Sequence, residues 1–179
     1  MVQVHGKSTL AAGIFYFLKT HGYNVELITE FAKDCVYEKR FDILKFDQLY
    51  IFAKQNHKLN ILRNYSKNVD FAITDSPLLL SKIFGIYRKN VPDSFLNLVS
   101  DVFNSYENIN FKLEKTHEYT SFWRIETETE ANDIDKLIDE TLKNDKLFYE
   151  ILKIDKDKHN GVDLVINSKQ FKEIIKNVN

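Results

Sequence analysis

The chain has little of what constrains a fold covalently. Among 179 residues there is one cysteine, and there are two prolines and five glycines. A lone Cys35 excludes an intrachain disulfide and a cysteine-built zinc site, and its expected state is a free, half-buried structural thiol. With so few prolines and glycines there is no low-complexity linker. No apolar span of membrane-crossing length and no signal peptide is present, which excludes a helical membrane partner and points to the cytoplasm. Charge of one sign is also missing. The net charge of −1 withholds the basic footprint expected of nucleic-acid binders, so no strong nucleic-acid signal exists. Arginine is limited to Arg40, Arg63, Arg88 and Arg124, the other cations being lysines, as in AT-rich coding sequence. His5, His21, His57, His117 and His159 lack the spacing of transition-metal ligands.

What is present is an ordinary globular composition, 44% hydrophobic and 28% charged, of a length that forms one domain with a proper core. The stretch with the sharpest chemistry is Gly6-Lys7-Ser8-Thr9-Leu10. It reads as the second half of a phosphate-binding P-loop, G-x-x-x-x-G-K-[ST], entering a helix. A glycine lets backbone N–H groups curl around a polyphosphate. Lys7 places a positive charge on the β/γ-phosphates, and the Ser8 hydroxyl is a Mg²⁺ ligand. The helix aims its N-terminal N–H groups at the same anion. Leu10, Ile14, Phe17 and Leu18 form an apolar stripe over residues 8–21, Gly22 stops the helix, and an apolar run at 24–29 follows as a strand. Counting back from Gly6, the motif's first glycine falls at position 1, where Met1 stands. The expectation is a truncated P-loop whose preceding strand is missing from this chain.

Glu30 follows that strand directly, at the carboxyl edge where open α/β sheets bind ligands. It is placed either to hold and deprotonate an acceptor hydroxyl or to cap the helix beginning at Phe31. Residues 43–65 read as one long helix, with Ile43, Phe46, Tyr50, Ala53 and Leu62 broadly on one side. Gln48 and Gln55 lie two turns apart and face the same way, as paired amides that read a substrate's hydrogen-bonding edge or as solvated side chains. Residues 69–75 form a strand ending in Asp75, which reads either as a Walker-B-like carboxylate for Mg²⁺ or, like Ser76, as the N-cap of a helix opening at Pro77. Amphipathic helices are expected over 77–88 and 93–106, and a short strand over 109–113. A polar segment at 114–130, containing Trp123 and Arg124, reads either as a lid or as a solvated loop. A helix over 130–144, a strand over 147–154, an extended piece at 162–166 and a closing helix over 168–178 complete the chain. Strands alternating with helices argue for an α/β fold with a mainly parallel sheet.

Taken together, several pieces resemble one family. They are His5-Gly6-Lys7-Ser8-Thr9-Leu10, Glu30-Phe31-Ala32-Lys33-Asp34, residues 46–55 (Phe46 to Gln55), Ile73-Thr74-Asp75-Ser76-Pro77-Leu78-Leu79, and the Arg124 segment running into Ala131, Ile134 and Asp135. In that order they resemble the P-loop ATPases and kinases related to the ribosylnicotinamide kinase domain, of the kind widespread in tailed phages. The resemblance implies a three-layer P-loop fold, binding of ATP and Mg²⁺, and phosphoryl transfer to a nucleoside, nucleotide or similar small acceptor. His5, Gly6, Lys7, Ser8 and Thr9 would hold the nucleotide, and Ser8 and Asp75 the metal. Glu30, Gln48 and Gln55 would face the acceptor, while Lys7, Glu30, Asp75 and Arg124 would carry catalysis. Trp123 departs from the family by standing where a glycine is usual, and Ile125-Glu126 replaces a polar pair. The alternative class is a non-catalytic ATP-binding module, or an inactive truncated remnant of such a kinase.

Overall fold

The computed structural model of the protein describes residues 6–64, 68–114, 126–154 and 161–178. Their order is α1 (Lys7–Thr20), β1 (Val25–Ile28), α2 (Phe31–Tyr37), α3 (Phe41–Phe46), α4 (Gln48–Asn64), β2 (Phe71–Thr74), α5 (Leu79–Arg88) and α6 (Asp93–Asn104). Then come β3 (Phe111–Leu113), α7 (Glu128–Asn144), β4 (Glu150–Leu152), α8 (Gly161–Asn167) and α9 (Lys169–Val178). The fold is α/β, mostly helix with short parallel strands. Among the described residues β1 pairs with β2 and β3 with β4, as two separate two-stranded parallel sheets. No helix among these residues is long and apolar enough to cross a membrane. Trp123, Arg124 and most of the expected lid lie outside the described residues, as does His5.

Three apolar clusters hold these elements. Leu18 of α1, Val25 of β1, Leu152 of β4, Val165 of α8 and Phe171 of α9 form one, and partly buried Phe71, Ile73, Phe111 and Leu113 bring β2 and β3 to it. The expected stripe of α1 is therefore its inner face. Helices α4 to α7 build a second cluster around Phe52, Ile83, Phe95, Val99 and Ile134. Cys35, Leu44 and Ile51 join α2, α3 and α4 in the third. Cys35 is fully buried there rather than half-buried, and burial pushes its thiol pKa up.

Three expectations are corrected. The helix over 43–65 breaks at Asp47, whose side chain accepts a hydrogen bond from the Tyr50 N–H (2.9 Å) and so opens a new helix. The break rotates the buried face. Gln48, Ile51, Phe52 and Gln55 go inside, while Phe46 is 74% exposed and Ala53 is on the surface. Residues 162–166 are helical, not extended. There α8 lies so close to α1 that a Cβ on Gly13 would come 2.6 Å from Val162 Cγ2, and packing overrides the strand-like composition. Helix α7 starts two residues early because Thr127 and Glu130 form a capping box. The Thr127 hydroxyl accepts from the Glu130 N–H, and the Glu130 carboxylate accepts from the Thr127 N–H.

Scarce glycine leaves a mark on helix ends. Helices α1, α2 and α7 all close with the same pair of backbone bonds, including Tyr23 N–H to Leu18 O, Arg40 N–H to Cys35 O and Leu147 N–H to Leu142 O. This closure needs a left-handed residue. Gly22 supplies one, whereas Lys39 (φ 58°) and Lys146 (φ 51°) supply the others at a steric cost. Lys146 follows Asp145, which takes both carboxylate oxygens to the Lys82 ammonium at 2.7 Å while Ser100 bonds the same groups. Lys82 and Asp145 are only 14% and 17% exposed, so this ion pair ties α5 and α6 to the end of α7 with little solvent screening.

Two stability outcomes follow in urea unfolding. Lys39→Gly should raise stability by about 0.5–1 kcal/mol, because the left-handed strain relieved exceeds the added unfolded-state entropy. Lys82→Ala should cost about 2–3 kcal/mol by leaving Asp145 largely buried and unpaired, and Lys82→Met with Asp145→Leu should recover much of that loss.

Candidate active site

The site is assembled at the carboxyl edge of the β1–β2 pair. Parallel pairing aligns Val25 with Phe71 and Ile28 with Thr74. The residues that leave the two strands, Thr29-Glu30 and Asp75-Ser76, therefore emerge side by side. The turn after β2 is fixed locally by the Thr74 hydroxyl, which accepts from the Ser76 N–H (3.1 Å) and donates to the Ser76 carbonyl (3.2 Å). The exit of β1 is held by Lys58, whose ammonium donates to the Thr29 carbonyl at 3.1 Å and pairs with Asp34 at 3.6 Å.

Helix α1 supplies the third wall and packs on both strands. Its N-cap is Gly6 at φ 141°, a backbone region that side chains rarely adopt, and a Cβ there would meet nothing within 4 Å. The first intrahelical bond runs from the Leu10 N–H to the Gly6 carbonyl, so the N–H groups of Lys7, Ser8 and Thr9 precede the helical ladder. Residues 6–9 are exposed and the first turn carries no acid. A helix start that no side chain caps among the described residues, followed by a lysine, suits a polyanion.

The Ser8 hydroxyl donates to the Asp75 carboxylate, joining the start of α1 to the end of β2 across 67 residues. Beside it the Ser76 hydroxyl donates to Glu30 Oε1 at 3.3 Å. Glu30 is the N-cap residue of α2 by position, but its side chain makes no capping bond, so the capping alternative does not describe its carboxylate. Burial pushes the Glu30 pKa above its ordinary carboxylate value. Lys7 opposes the rise, Asp75 adds to it, and the Ser76 bond and Lys33 pull it down. A carboxylate raised in this way is a stronger proton acceptor than an ordinary one.

Of the residues singled out from the sequence, the structure brings Lys7, Ser8, Glu30 and Asp75 together. Ser8 and Asp75 fit a Mg²⁺ ion chemically: an alcohol and a carboxylate are the oxygen donors such an ion takes, its other positions going to water and phosphate. No group of three or more His, Cys, Asp or Glu side chains suited to a metal occurs among the described residues. Gln55 reaches the site through the backbone, its Oε1 accepting from the Phe31 N–H at 3.1 Å. Gln48 is also buried, not solvated, and its amide donates to the Leu44 carbonyl at 3.1 Å, inside its own helical layer. The sequence reading gave Lys58 and Thr74 no role in the site, and gave Ser76 only a role as a helix start. Their partners lie on other elements or in the turn itself.

Glu30→Gln provides a pH test. Between its ordinary value near 4.5 and its raised native value, Glu30 binds a proton in the folded chain more than in the unfolded one. Stability therefore falls as pH rises through that window. Thermal unfolding should show Glu30→Gln more stable than the parent at pH 7, with the gain vanishing below about pH 4, where Glu30 is protonated in both states. A gain that persists at low pH would rule out desolvation of Glu30 as its source.

No family model, curated protein or solved structure matches this chain.

Proposed function

We propose that this chain binds Mg²⁺-ATP at the start of α1 and transfers the γ-phosphate to a hydroxyl of a small acceptor of nucleoside or nucleotide type. The observation that carries the reading is the Ser8–Asp75 contact, with Glu30 on the neighbouring strand end. A lysine, a hydroxyl and a strand-end carboxylate converge at a helix start that no side chain caps among the described residues. A second, desolvated carboxylate stands beside them. On this reading the two parallel pairs belong to the sheet of a three-layer P-loop kinase.

Each residue then has a distinct task. Lys7 and the N–H groups of residues 7–9 bind the phosphate oxygens. Ser8 and Asp75 would hold Mg²⁺, which when bound neutralises charge on the β- and γ-phosphate oxygens. Glu30 orients the acceptor hydroxyl and takes its proton as the acceptor oxygen bonds to the γ-phosphorus. The bond from that phosphorus to the β–γ bridging oxygen breaks, and ADP leaves with the electron pair. Positioning and charge neutralisation supply most of the acceleration in such transfers. Arg124 is proposed as the lid cation by resemblance alone.

Thermal unfolding with Mg²⁺-ATP at about 100 times Kd should show about 2.7 kcal/mol of added stability. Lys7→Ala should abolish that gain and lower turnover at least about a hundredfold. Asp75→Asn should retain ATP-dependent stabilisation while losing its dependence on Mg²⁺. Unchanged phosphoryl transfer in Lys7→Ala would refute the assignment. Stabilisation by ATP without transfer to any nucleoside or nucleotide would favour the non-catalytic module.

A further inference from the structure

Gln55 is 4% exposed, and its Nε2 is the one buried side-chain nitrogen or oxygen without a hydrogen-bond partner among the described residues. The amide cannot be turned around to mend this. The Phe31 N–H is a donor, so the atom that meets it must be the carbonyl oxygen Oε1. Both N–H donors of Nε2 are thus left over, directly behind the Glu30–Phe31 peptide. Gln48, seven residues earlier on the same buried face, has its Nε2 satisfied by the Leu44 carbonyl. The helix can therefore give a buried amide nitrogen an acceptor, and it does not do so at Gln55. A buried donor without an acceptor is a standing cost to the fold and calls for an explanation, a bound ligand or water being one.

We infer that Gln55 is a specificity-determining residue for the acceptor, donating from Nε2 to a carbonyl oxygen or unprotonated ring nitrogen of a nucleoside base whose sugar hydroxyl lies at Glu30. This rests on Glu30 being the acceptor-side carboxylate of the proposed transfer. It adds a sign to the recognition: the protein offers a donor, so a base edge offering N–H at the same place is disfavoured. Because Nε2 is closed off from solvent, acceptor binding must open the Glu30–Phe31 junction. At that junction the Phe31 ring packs edge-on against Tyr50, with centroids 5.5 Å apart.

The test needs no ATP. Uridine, cytidine, inosine, adenosine and a phenyl riboside lacking all base heteroatoms are titrated into the full chain. Binding is measured by calorimetry, and the Gln55 side-chain amide is followed by nitrogen-edited NMR, assigned by its disappearance in Gln55→Glu. At least one base-bearing nucleoside should shift the Gln55 amide and bind at least about tenfold tighter than the phenyl riboside. That ratio should collapse towards one in Gln55→Glu, which keeps an acceptor for Phe31 but loses the donor, and in the neutral Gln55→Met. Two variants guard against one failing to fold. An unmoved Gln55 amide, as for one satisfied by a bound water only, would overturn the inference. So would a panel without any binder, or a ratio preserved in both variants. Nucleoside recognition at Gln55 without Mg²⁺-ATP stabilisation would sink the kinase reading and leave Gln55 as a nucleoside-binding residue only. The reverse pattern would do the opposite.

Discussion

The parallel pairing of β1 with β2 is the constraint on which the site depends. It is only four residues long on each strand, yet it sets the relative height of everything that leaves the strands. With Ile28 opposite Thr74, Glu30 and Asp75 come out at one edge and reach the start of α1 together. A register shift would separate them, and a one-residue slip would also turn the inward side chains to the opposite face. Val25 and Ile28, both buried, resist such a slip by anchoring the strand in its core.

Two carboxylates within that edge have been given different surroundings. Asp75 accepts the Ser8 hydroxyl at an open helix start. Glu30 is desolvated and has Ser76 as its hydroxyl donor. On the proposed reading Asp75 holds the cation while Glu30 takes the acceptor's proton. Lys7 acts on both purposes, as a candidate phosphate contact and as the charge that limits the rise at Glu30. The turn after β2 is held by Thr74, and the exit of β1 by Lys58.

Legibility in the sequence tracked the range of the interaction. Helix α1, its apolar stripe and its Gly22 stop were readable because period and cap are local. The break at Asp47 and the early start of α7 were equally local, written in Asp47–Tyr50 and Thr127–Glu130, but capping signals inside polar stretches are outweighed by apolar periodicity. The helical state of 161–167 was not local at all. It depends on Gly13, about 150 residues away, leaving space for Val162.

By itself the sequence determined the residue types at the site and their places on elements: Lys7 and Ser8 at a helix start, Glu30 and Asp75 at strand ends. Those follow from short-range rules of periodicity, caps and turns. Only the tertiary structure decided which of them meet. It joined Ser8 to Asp75 and Ser76 to Glu30, and it buried Gln55 with one donor group unspent while Gln48 was satisfied nearby. The reason is that hydrogen-bond partners separated by tens of residues are chosen by strand register and helix rotation. Both are set by the packing of the whole chain, and neither is encoded within any single stretch of it.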